Sequence, residues 1–156
     1  EEINNVGVTG IFLGSYFFWD AKKQLEIILE KGFSVKTDGP VEGTYTNYEN
    51  LDEKMHGLHD YLKYVKYGFG RATDHASIDI RNNRLTRKQG LEKVNEFDGK
   101  YPHYGIKTFI KYSGMAKKEI DTIIDSFTNP ILFESDENDK FKRDVNFNLI
   151  PTFKRK

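Results

Sequence analysis

The sequence contains no cysteine, which excludes disulfides and cysteine-based zinc sites within these 156 residues. It carries no net charge, with 24 Lys and Arg against 24 Asp and Glu. Without a global field to steer a polyanion, a dedicated nucleic-acid partner is not expected. No apolar run approaches the ~20 residues of a membrane helix. The longest, Val6 to Trp19, is short and broken by glycines. No membrane partner is expected from it. No basic segment leads into an apolar core as in a signal peptide, so a cytoplasmic location is expected. No Met stands at position 1, and Gly7 to Gly14 reads like the inside of a domain. The chain is therefore expected to be a piece of a longer protein, the alternative being a chain that lost only its Met. What is present is a globular composition. Aromatic residues make up 14% and hydrophobic residues 37%, enough large apolar groups to repay the ordering entropy of one domain.

Periodicity points to a mainly α fold: about five short helices after a short extended N-terminal segment. Aromatic and β-branched residues from Ile11 to Trp19 favour the extended segment, as core or as a face against another domain. Asp20 is a plausible N-cap for a helix over Ala21 to Lys31, with Gly32 at its end. Residues 33–50 carry loop chemistry. A helix is expected from Leu51 to Tyr67, with Leu58, Tyr61, Leu62 and Val65 on one stripe. Arg71 to Asn82 is ambiguous, its alanines and isoleucines permitting a short helix. Thr86 and Gln89 fit a capping box for a helix through Phe97. Pro102 suits a first turn ahead of Ile106, Phe109 and Ile110. Ile120, Ile123, Ile124 and Phe127 give the clearest helical spacing. Residues 1–133 read as the helical domain and 134–156 as a polar, solvated tail open to partial disorder.

The densest chemistry lies between Lys66 and Arg81. Two glycines, Arg71, Arg81, Asp74, Asp79 and His75 fall within sixteen residues. Arginine forks suit phosphate or carboxylate, and His beside Asp suits proton transfer near neutral pH. The same residues also suit structural ion pairs at a helix junction. Gly43 to Asn50 offers hydroxyls, amides and two tyrosines, fit either for holding a sugar or for a capped turn. His56 and His59 stand at i, i+3 without an evident third ligand, so no metal site is expected. Gly7-x-x-Gly10-x-x-x-Gly14 lacks the Lys-Ser/Thr of a phosphate loop.

One ordered set of motifs resembles a known family. Leu13-Gly14-Ser15-Tyr16 and Trp19-Asp20 are followed by Gly43-Thr44-Tyr45-Thr46-Asn47-Tyr48-Glu49-Asn50. Then come Lys66-Tyr67-Gly68-Phe69-Gly70-Arg71-Ala72-Thr73-Asp74-His75-Ala76, Ile80-Arg81, Thr86-Arg87 and Asp98-Gly99-Lys100-Tyr101-Pro102. Over residues 8–133 this resembles the C-terminal region of the N-acetyl sugar amidotransferases of bacterial lipopolysaccharide and flagellin-sugar biosynthesis. The resemblance implies an ATP-pyrophosphatase-type domain elsewhere, with a Ser-Gly-Gly-Lys-Asp-Ser loop and cysteine pairs. It implies conversion of a sugar acetamido group to an acetamidino group, with ATP and Mg activating the amide and a glutaminase partner supplying ammonia. This chain has neither that loop nor the cysteines, and Glu53 stands where relatives are expected to carry Cys. The segment alone is therefore expected to be inactive and to hold no cofactor.

On that footing Arg71 and Arg81 are expected to bind the charge of an acidic or nucleotide-linked N-acetyl sugar. Thr44, Tyr45 and Asn47 would contact the sugar. Asp74 and His75 would orient groups or move protons, and Lys66 would neutralise a leaving phosphate. The alternative is a non-catalytic helical module that docks the glutaminase or forms a homo-oligomer.

Overall fold

Six α-helices and one 3-10 turn run through the computed structural model, which describes residues 5–155. The mainly α architecture agrees with the periodicity. The chain divides into two units, Glu1–Ser34 and Val35–Lys156.

In the first unit, a 3-10 turn over Leu13–Ser15 precedes α1, Ala21–Leu29. Asp20 caps α1, its carboxylate accepting the Lys22 N–H at 3.1 Å. The helix stops before Lys31, and Gly32 takes a φ of +92° in the turn that follows. The aromatic run before α1 is not core: Phe12, Phe18 and Trp19 are 88%, 79% and 64% exposed.

The second unit holds α2 His56–Tyr67, α3 Arg71–Arg81, α4 Arg87–Phe97, α5 His103–Ser113 and α6 Lys117–Phe127. α2 is the central element, packing on α5 and α6, while α3 pairs with α4. Leu58, Tyr61, Tyr64 and Val65 of α2 meet Ile106, Ile120 and Ile124 in one core. Two of the sequence expectations shift. α2 starts at His56 rather than Leu51, because Asn50 turns at φ +51° and the Glu53 carboxylate takes the Met55 N–H. The ambiguous window from Arg71 is fully helical through Arg81. Its Ala72 and Ala76 are buried. Gly90 of α4 lets the two helices approach, since a Cβ there would lie 2.7 Å from the Ile80 side chain.

The segment after Phe133 corrects the tail reading. Bridges pair Phe133 with Pro151, Ser135 with Phe141 and Arg143 with Leu149. Phe133 and Leu149 are buried, and Phe141 and Phe147 pack against the core. Single apolar residues among polar ones left no period to read. Asp136 and Asp144 fold the chain back by accepting the N–H groups of Asn138 and Lys140, and of Asn146 and Asn148. Among the described residues no helix is long and apolar enough to cross a membrane.

Candidate functional site

The loop at residues 43–50 lies against α3, joining two of the clusters singled out in the sequence. Thr44 Oγ1 is 2.6 Å from His75 Nδ1, and Glu49 Oε2 is 2.6 Å from His75 Nε2. Both ring nitrogens are thus engaged, and His75 is buried. The bond from His75 pulls the Glu49 carboxyl below its ordinary range, against the opposing effect of burial. One turn along, Asp79 accepts the Tyr45 O–H at 2.7 Å and Arg84 Nε–H at 2.6 Å. Burial, then the bond to Asp79, pushes the Tyr45 phenol far up. Asn47 serves the loop itself, donating from Nδ2 to the Lys36 carbonyl at 2.9 Å.

A second cluster forms where α2 begins. Arg71 Nε donates to Asp60 Oδ2 at 3.2 Å, and a terminal nitrogen of the same guanidinium contacts His56 Nε2. His56 Nε2 is also 3.0 Å from Asp60 Oδ2 and 3.0 Å from Asn50 Nδ2. Asp60 is buried, and Arg71 keeps a quarter of its side chain in solvent. His56 and Asn50 look into a cleft of about 440 Å³, with Lys36, Asp38, Glu42 and Glu53 around it and Tyr104 on its wall. Lys36 and Asp38 pair at 2.8 Å. Glu42 accepts the Tyr104 and Gly105 N–H groups at 2.9 and 3.0 Å, closing the first turn of α5.

The remaining candidates fall elsewhere. Asp74 pairs with Lys63 across α2 and α3. Lys66 holds its ammonium 4.4 Å from the centre of the Phe127 ring. Arg81 is exposed in the last turn of α3. The structure therefore groups Thr44, Tyr45 and His75 and sets Arg71 beside them on α3, but none of the predicted site residues, Asn47, Lys66, Asp74 and Arg81 included, lines the cleft. Sequence reasoning passed over Asp60, Glu49 and Glu42. Only Asp60 carried a local signal, standing four residues after His56 and so on the same helical face.

The donors present do not fit ATP with Mg. Gly7, Gly10 and Gly14 face open space, with no lysine in a phosphate-loop position. His56 and His59 stack at 6.0 Å between centroids without a third ligand. No group of three or more acidic or imidazole side chains that could hold a metal occurs among the described residues.

The model of the LPS biosynthesis protein WbpG-like C-terminal domain matches residues 42–146. The chain belongs to this family. That membership places the WbpG-like domain in lipopolysaccharide biosynthesis. The match begins at Glu42 on the cleft and takes in the 43–50 loop and α2 to α6. The resembling motifs between residues 8 and 41 lie outside it. Comparison with the curated proteins gives no match.

Proposed function

We propose that this WbpG-like domain forms the sugar-holding part of an ATP-dependent amidotransferase that turns a sugar acetamido group into an acetamidino group. The observation that supports this is the lining of the cleft beside His56. Its charges are largely spent internally, Lys36 on Asp38 and Glu42 on the start of α5. What remains is an amide, an imidazole, the exposed Lys54 and the half-exposed Tyr104 ring, with Pro40, Val41 and Leu51 beside them, groups that suit a hydroxyl-rich ring carrying an acidic or phosphate substituent. Of the two arginines expected to meet the charge of a nucleotide or acidic substituent, Arg71 is already held by Asp60 and His56, and the exposed Arg81 is left for it. Thr44, Tyr45, Asn47 and His75 act in this proposal by holding the loop that ends at Asn50. Asp74, paired with Lys63, and Lys66, over the Phe127 ring, take no part in holding the sugar in this proposal. Ammonia would come from a glutaminase subunit, and the phosphates of ATP would be held by residues other than these.

Titration of the ¹⁵N-labelled chain with UDP-N-acetylglucosamine tests the reading. Expected are amide shifts concentrated at residues 36–42, at 50–57 and at Tyr104. Absence of such shifts at millimolar ligand overturns it. A second reading, a helical module for glutaminase docking or oligomerisation, is favoured by the exposed Phe12, Phe17, Phe18 and Trp19. It predicts shifts only when a partner protein is added.

A further inference from the structure

His56 stands between the cleft and the Arg71–Asp60 pair, and its surroundings decide which ring nitrogen carries the proton. A guanidinium has only donors. A terminal nitrogen of Arg71 contacts Nε2, so that nitrogen must offer its lone pair. The Asn50 amide nitrogen lies 3.0 Å from the same atom. The Asp60 carboxylate oxygen 3.0 Å from Nε2 takes the Arg71 Nε–H and keeps a second lone pair, but a hydrogen on Nε2 would run into the closer guanidinium, which has only donors. The ring proton then belongs on Nδ1. Its nearest acid is Glu53, whose Oε2 at 4.0 Å is too distant for a hydrogen bond and whose Oε1 takes the Met55 N–H. Nδ1–H is thus left unspent on the residue that lines the cleft.

We infer that His56 is a specificity-determining donor of the cleft, a neutral imidazole whose Nδ1–H is offered to an uncharged carbonyl or hydroxyl oxygen of the ligand. The inference rests on the carbohydrate reading of the cleft. The titratable groups around the ring are Asp60, Glu53, Glu49, Arg71 and His59. Burial, with Arg71 and His59, outweighs Asp60 and Glu53 and holds the imidazole below its ordinary range. A neutral N–H selects by geometry for an uncharged oxygen, where an imidazolium would favour phosphate or carboxylate.

Long-range ¹H–¹⁵N correlation on the full chain near neutral pH reads the tautomer directly, with His56→Asn identifying the resonances. Expected is a protonated Nδ1 and a bare Nε2. An Nε2–H ring or an imidazolium overturns the inference. Arg71→Met should move the proton to Nε2, toward Asp60; an unmoved proton overturns the cause given for it. For binding, the probe is N-acetylglucosamine. His56→Asn keeps a donor near the Nδ1 position and should bind within a few-fold of the parent chain. His56→Gln, with its amide near the Nε2 position, should lose about tenfold, the worth of one hydrogen bond. Equal binding by both variants overturns the inference. Sugar binding together with an Nε2–H ring defeats this inference alone. The Nδ1–H tautomer in a chain that binds no sugar defeats the carbohydrate reading, and with it the ligand named here.

Discussion

Glu49 shows how a single side chain ties the loop to the fold. Its carboxylate accepts from His75, which in turn is held by the nearly inaccessible Thr44 hydroxyl. The bond keeps the native carboxyl below its ordinary value of 4.5. The unfolded chain therefore takes up the proton first as pH falls. The stability this group contributes is complete above that ordinary value and is lost as pH drops through the lowered native one. Thermal melts on an acid series should show the parent chain losing more stability than Glu49→Gln over that window, and the two curves should run parallel above it. Equal slopes in acid would mean the His75 contact is absent in solution. The chemistry of this region was visible in the sequence as residue types. The pairing was not, because Glu49 and His75 are 26 residues apart and nothing local ranks His75 above other donors.

At the scale of elements, caps decide which helices form. The Thr86–Gln89 capping box was legible because both partners sit within one turn, and the structure has both of its bonds. α3 was ambiguous because its cap is remote. Gly70 offers no side chain, and Asp98, at the end of α4, accepts from the Gly70, Ala72 and Thr73 N–H groups and the Thr73 hydroxyl. That carboxylate is fully buried, so its bonds are charge-assisted and sheltered from water. Asp98→Ala strands several donors at once and should cost about 3 kcal/mol or more in urea denaturation. Hydrogen exchange should show the loss first in the amides at residues 70–74. A cost below about 1 kcal/mol would show that α3 stands without this cap. Glu42 does the same for α5 from outside that helix, which is why no local signal announced it.

On the scale of the whole molecule, the stretch after Phe133 completes the core of its unit. Leu149 is buried, and Phe141 and Phe147 cover Tyr101 and its neighbours. Arg143 reaches the Tyr61 hydroxyl and the Asp125 carboxylate, tying the segment to α2 and α6. Removing a buried Leu or Phe costs about 2–5 kcal/mol. Deleting residues 134–156 removes the buried Leu149 and the partly buried Phe141 and Phe147, a loss that reaches into the ~5–15 kcal/mol that holds a domain together. The shortened chain should lose its near-ultraviolet circular dichroism and its cooperative melt. A sharp transition within a few degrees of the parent would refute the closing role. Composition pointed the other way, since polar residues outnumber apolar ones here and the few that matter are spaced by turns rather than by a period.

The sequence by itself determined the helices with one clear stripe and a cap inside one turn, because helical periodicity and local hydrogen bonds act between near neighbours. It also determined the family, through motifs long enough to be read in order. Tertiary structure alone decided which donors meet His56, which carboxylates cap α3 and α5, and where the cleft opens. Those depend on groups tens of residues apart being brought within hydrogen-bond distance by a shared core, and no spacing along the chain encodes that distance.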